Sequence, residues 1–299
     1  MKVLLNAGAD INKPKDDGVT PISAASANGR AEVLKVLINS EANVNLCDKQ
    51  KRTPLHQACW FGHEDVVKEL IAAHADLNAP NCDPYGFVPI HWASEKGHIN
   101  VVKLMLSAGA LINKQSKDGT TALHKASENG FVDLVKVLID AHADLNRQNK
   151  EGKTALHFAS AKGHALVVKA LMFAPGIDVT IQDFNGKTAD AAATQPEMSQ
   201  IILLAPNPLW IEFYARDQPS AIKYAKEHPE EWSTPNREGK PFITEAVRLK
   251  QWEFLNALLD HGVDVNTRDK ETGNSALHSA VLNRELEGVR ILLAKGADA

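Results

Sequence analysis

Twelve histidines stand in this 299-residue chain, and five of them have a spacing that invites a metal reading. His56, His91, His124 and His157 are separated by 35, 33 and 33 residues, and His278 closes the same local pattern. Each ends a related tetrapeptide: Thr53-Pro54-Leu55-His56, Val88-Pro89-Ile90-His91, the TALH of Thr121 and of Thr154, and the SALH of Ser275. Imidazole is a common zinc ligand, but the ligands of one ion all lie about 2 Å from it. Residues recurring once per structural unit are kept apart by the distance between packed helices, roughly 8–10 Å. These histidines are therefore expected to be structural, and no metal or other cofactor is expected. His63, His98 and His164, each following a glycine, read the same way. Gly152-Lys153-Thr154 and Gly186-Lys187-Thr188 imitate the end of a phosphate-binding loop, which needs a further glycine five residues earlier. Arg147 and Ile181 occupy those places, which excludes a nucleotide loop. Nucleophile-elbow, zinc-protease and dinucleotide signatures are missing too, so no enzyme is expected.

The elements that carry these residues follow from one stretch, Lys51 to Asn78. Thr53 before Pro54 predicts a helix start: a threonine oxygen caps an orphan backbone donor, and proline at the first helical position gives up no hydrogen bond. Leu55, Ala58 and Cys59 fall on one face of that helix, which should end at Gly62 in a left-handed turn. Val66, Val67, Leu70 and Ile71 then have the spacing of a second amphipathic helix. The polar turn AHADLN closes the unit. With apolar residues on two sides, one unit cannot bury them alone and requires neighbours. A period of 33 residues is the signature of such stacking.

The pattern resembles the ankyrin repeat: turn, TPLH helix, glycine, VVKxL helix, GADxN. The resemblance implies an all-α solenoid of stacked helix-turn-helix units with short β-hairpin-like turns. It covers residues 1–204 as a partial first unit and about six more, and 236–299 as two further units, the last truncated. Residues 205–235 have lost the motif but still show two short helical patterns, broken at Pro219, and read as a degenerate repeat or joint. In unit six, Asp190 replaces a core leucine and Pro196 should shorten the first helix. The partial first unit and the final ILLAKGADA suggest a piece of a longer array; a complete protein with short natural ends is the alternative. His74 and His142 stand where the closing turn of other units has glycine, as in Gly109 and Gly262.

Charge is nearly balanced, 33 basic against 37 acidic residues. That disfavours nucleic acid and anionic membranes, which reward a clustered basic face. No apolar run approaches the ~18 residues of a membrane-spanning helix. Cys47, Cys59 and Cys82 form no spaced framework, as expected for the cytosol or nucleus. The chain is expected to be a monomer.

The family resemblance also implies where binding sits: a concave face of turn tips and first helices, contacted by a protein partner. The exposed slots there hold Arg52, Trp60, Phe61, Tyr85, Phe87, Trp92, Glu95, Lys96, Lys125, Glu128, Asn129, Phe158 and Lys162. Trp60, Phe61, Tyr85, Phe87 and Trp92 should form an aromatic patch over units two and three, of the kind that anchors interfaces. Lysines on units four and five would add a basic stretch suited to an acidic segment. Two alternatives stand beside this reading. The array could be the scaffold arm of a larger enzyme, channel or bacterial effector. Asn78 and Asn146 also resemble sites modified by an asparaginyl hydroxylase.

Overall fold

The computed structural model describes residues 9–81, 84–194, 199, 201–202, 205, 208–215 and 218–298. Two compact units make up the chain, Met1–Thr188 and Ala189–Ala299. The first contains five helix pairs: α1 (Pro21–Ala27) with α2 (Ala31–Asn39), α3 (Pro54–Phe61) with α4 (Glu64–Ala72), α5 (Pro89–Lys96) with α6 (Ile99–Ser107), α7 (Ala122–Glu128) with α8 (Val132–Asp140), and α9 (Ala155–Lys162) with α10 (Ala165–Met172). First helices stack on first helices and second on second, so the apolar stripe of each pair is covered by its neighbours. Leu55, Ala58, Cys59, Val66, Val67 and Leu70 of the reference pair are all fully buried. Burial without a charged partner pushes the Cys59 thiol far up, and it is inert.

The slot histidines carry a specific job. The backbone N–H of Thr53, Val88, Thr121 and Thr154 donates to Nδ1 of the histidine three residues on, at 3.1–3.2 Å. With Nδ1 accepting, the proton belongs on Nε2, which faces a backbone carbonyl of the next repeat. His56 donates to Phe87 O (3.1 Å), His91 to Lys114 O (2.8 Å), His124 to Lys153 O (3.1 Å) and His157 to Lys187 O (3.0 Å). Both ring nitrogens are spent, which leaves none for a metal. His63, His98 and His164 donate backwards instead, to Ala27 O, Trp60 O and Glu128 O. Their rings also explain the mid-repeat glycine: at Gly62, with φ 74°, an added Cβ would lie 2.6 Å from the His98 ring.

Two further ladders were not anticipated. An Asx side chain folds several of the projecting fingers: Asp48 accepts from Gln50 and Arg52 N–H, Asn149 from Glu151 and Lys153, and Asp183 from Asn185 and Lys187. The asparagine ending each repeat reaches into the next closing turn, Asn45 to Asp76 N–H and Asn113 to Asp144 N–H. Residues 82–83, including Cys82 in the enlarged third finger, lie outside the described residues.

In the second unit, Ala189 to Ala192 form a turn where unit six should begin its first helix, while Pro196 lies outside the described residues. Three pairs follow: α11 (Pro208–Tyr214) with α12 (Gln218–Glu227), α13 (Phe242–Arg248) with α14 (Trp252–Asp260), and α15 (Ala276–Leu282) with α16 (Leu286–Ala294). Pro219 does not break a helix, as expected above, but lies in the first turn of α12, where its missing N–H costs nothing. Trp210 occupies the third helical position, the histidine slot, and its indole N–H donates to Thr234 O at 2.8 Å. Trp210, Phe213, Tyr214, Phe242 and Phe254 are buried together, Trp210 stacked on Phe242 at 3.7 Å and 12°.

Two stability predictions follow from these turns and bridges. Desolvation lowers His91 and His124 from the ordinary 6.5 to about 4. The unfolded chain therefore takes up these protons first. Their stabilisation is complete above pH 6.5 and lost as pH falls toward 4, roughly 3 kcal/mol for each ring. Urea midpoints measured from pH 7.5 to 4.5 should fall more steeply for the native sequence than for His91→Gln/His124→Gln, which starts lower but has nothing to titrate there. His74 and His142 have φ of 58° and 61°, a left-handed conformation that glycine adopts without strain. His142→Gly should therefore raise the melting temperature, by up to about 1 kcal/mol in stability.

Candidate partner-binding site

Helix capping fixes which side chains look outward. With the cap at Thr53 and the slot histidine turned to the next repeat, the residue after the histidine and those one turn later face away from the core. These columns hold Gln57, Trp60 and Phe61 on α3, Trp92, Glu95 and Lys96 on α5, Lys125 and Glu128 on α7 with Asn129 at its C-cap, and Phe158 and Lys162 on α9. The aromatic residues divide into two layers. Trp92 and Phe87 are buried, at 9% and 7% exposure, while Phe61 and Tyr85 are half exposed at 51% and 50%. Trp60 lies between, its ring 5.1 Å from Trp92 and nearly perpendicular to it. Tyr85 stacks on Phe87 at 5.4 Å.

Together Arg52, Gln57, Trp60, Phe61, Phe87, Trp92 and Glu95 line an open cleft of about 410 Å³. The patch is thus a floor of buried rings with a rim of exposed ones, not a flat exposed cluster. Trp92 and Phe87 serve the fold as well as the surface, because their rings pack edge-on against His56 and His91. Phe158 is half-buried against the edge of His124 and lies outside this cleft. Asn129 caps its own helix, donating to Lys125 O.

Two lysines of the basic stretch expected beside the patch, Lys125 and Lys162, are paired with carboxylates of the protein itself. Lys125 lies 3.3 Å from Glu95 and 3.6 Å from Glu128, and Lys162 is 4.0 Å from Glu128. The Lys125 ammonium also lies over Phe87 at 4.8 Å, and that of Lys96 over Trp60 at 3.8 Å. Arg52 is held by Asp48 and Gln50. The face is a ribbon of mutually neutralising charges around aromatic rings.

A family model of ankyrin repeats matches residues 1–81, 90–183 and 211–299. The chain belongs to the ankyrin repeat family. No curated protein matches it closely enough to add a relative. Ankyrin repeats are generally protein–protein interaction modules, and the fold is typically non-catalytic. Among the described residues, no helix is long and apolar enough to cross a membrane.

In this ankyrin array the asparagines proposed as modification sites are locked. Asn78 Oδ1 accepts from Leu111 N–H at 3.1 Å. Asn146 accepts from Asp178 N–H and donates to Gly176 O, both at 2.8 Å. The sequence reading also missed a second depression, lined by Phe131, Val132, Ile139, Leu166, Ala170 and Phe173 along α8 and α10. Phe131 stands where His63, His98 and His164 stand elsewhere, and that substitution was the available signal.

The two aromatic layers should respond differently to truncation. Trp92→Ala opens a cavity between repeats and should cost about 3 kcal/mol or more in urea denaturation. Phe61→Ala, on the rim, should stay within about 0.5 kcal/mol of the native value.

Proposed function

We propose that the chain is a monomeric, non-catalytic module that binds a protein partner on the concave face of units two to five. The observation that carries this reading is the half-exposure of Phe61, which lines a cleft floored by Trp92 and Phe87, and of Tyr85, which stacks on Phe87. Neither rim ring serves the core, and aromatic residues beside a desolvated pocket are the usual anchors of an interface. Glu95, Lys96, Lys125, Glu128 and Lys162 continue the surface along α5, α7 and α9. Their mutual pairing fits a polar protein surface better than a phosphate backbone, which rewards uncompensated basic charge. Residues 205–235 we read as a divergent ankyrin repeat, because Trp210 fills the histidine slot and makes its hydrogen bond to the following backbone.

Affinity capture from lysate tests the proposal, with native protein beside Phe61→Ala/Tyr85→Ala and a Leu166→Ala control on the second-helix side. The expected result is a captured protein lost only in the rim variant, with all three proteins equally stable. Retention by the rim variant and loss in the control would move the site to the α8–α10 depression.

A further inference from the structure

We infer that the outer face of the last helix pair, α15 with α16, is a stacking surface for a further ankyrin repeat carried on the same chain beyond Ala299. This surface is apolar. Val281 takes the position that Cys59, Ser94, Ser127 and Val247 hold in earlier pairs, each of them fully buried. Val281 is 61% exposed, and Leu282 and Leu293 are 71% and 49% exposed. With Leu277 and Val289 they line an open depression of about 510 Å³. A solenoid that ends in water presents a polar outer face, and an uncovered apolar one marks a contact.

The polar groups on this face select what covers it. His278 caps its helix as the other slot histidines do, with Nδ1 accepting from Ser275 N–H at 3.4 Å and lying 2.8 Å from the Ser275 hydroxyl. In His56, His91 and His124 the Nε2–H donates to the following repeat. That of His278 has no acceptor among the described residues. The fingers repeat the pattern: Asp17 O accepts from Lys49 N–H and Asp118 O from Lys150 N–H. Thr272 O, which likewise precedes a finger glycine, has no donor among the described residues. One more finger and first helix would supply both partners, a carbonyl for His278 and an N–H for Thr272. The chain also leaves toward this face. Asn266 Oδ1 accepts from Asp298 N–H at 2.9 Å, the bond that Asn45 and Asn113 make to Asp76 and Asp144 within the array. Asp298 itself borders the depression. The last closing turn is thus set as between two stacked repeats, which favours an occupant covalently continuous with it over a separate molecule.

The test joins a second copy of residues 113–146 after Ala299 and compares hydrogen exchange in this extended chain and the native one. Amides of α15 and α16 should exchange roughly 10-fold or more slowly in the extended chain, and the His278 Nε2–H should become a protected resonance. Val281→Asp should abolish that slowing, yet change exchange little in the native chain, where the side chain meets water. An antibody to α16 should detect in source cells a product longer than 299 residues. Unchanged exchange, or an unprotected His278 Nε2–H, overturns the stacking surface. A source product of 299 residues, or self-association of the native chain that Leu282→Glu abolishes, overturns the continuous occupant. The concave face enters none of these measurements, so its capture experiment is judged separately.

Discussion

One imidazole in each of four successive repeats, with both nitrogens assigned, is the interaction on which most of the first unit depends; in α1 that slot holds Ser23. A helix of seven or eight residues cannot hold itself together in water, because nucleation is costly and few internal bonds reward it. The slot histidine meets that deficit from both sides. Its Nδ1 satisfies the backbone donor at its own helix start, and its Nε2–H ties that start to the carbonyl of the following repeat. Capping and stacking thus become one event, and a helix that frays also lets go of its neighbour. The neutral tautomer is essential to this arrangement: a second ring proton would meet a backbone N–H instead of an acceptor.

The second unit shows what happens when that residue is replaced. Trp210 keeps the single donor, through its indole N–H to Thr234 O, and loses the acceptor. Thr244, in the next slot, is too short to cross, and its buried hydroxyl has no hydrogen-bond partner among the described residues. Hydrophobic contact compensates, with the stacked Trp210 and Phe242 inside a buried aromatic group. Around it lies a polar shell in which Asn236 donates to the Tyr214 hydroxyl and Arg248 clasps Glu245. Gln251 donates to Phe213 O, repeating the backward bond that His63, His98 and His164 make elsewhere. The same repeat geometry is therefore reached by polar bridging in four repeats of the first unit and by aromatic packing around Trp210 in the second, where His278 still caps the last first helix.

This contrast explains which parts were legible in sequence. Caps, glycines and the 33-residue period are local signals, so the helix pairs of the first unit could be placed from Thr53, Pro54 and Gly62 and their counterparts. Trp210 was illegible because a search keyed on histidine does not register that indole and imidazole share one N–H in nearly the same place. The aromatic columns could be named, but not the depth of Phe87 and Trp92, which depends on Trp60 and His56 of the preceding repeat meeting Trp92 and on Tyr85, His91 and Lys125 enclosing Phe87. The Glu95–Lys125 link was likewise hidden, because its members stand in different columns of neighbouring repeats. Only the stacking distance shows that their side chains meet.

That hidden neutralisation changes what the surface can discriminate. Had the lysines of units four and five been free, long-range attraction would dominate, and any acidic segment would serve as a partner. Paired as they are, Lys125 and Lys162 contribute little attraction at a distance, and exposed pairs of this kind add only ~0–1 kcal/mol each. Recognition then falls to short-range terms: the fit of a guest against Phe61 and Tyr85, and desolvation of the cleft they rim. Such terms decay within a few ångströms and tolerate little mismatch. If the proposed site is the one a partner uses, a face aromatic at one point would reject most passing surfaces and hold the one whose anchor matches, and its specificity would rest on the cleft between units two and three rather than on the paired charges beside it.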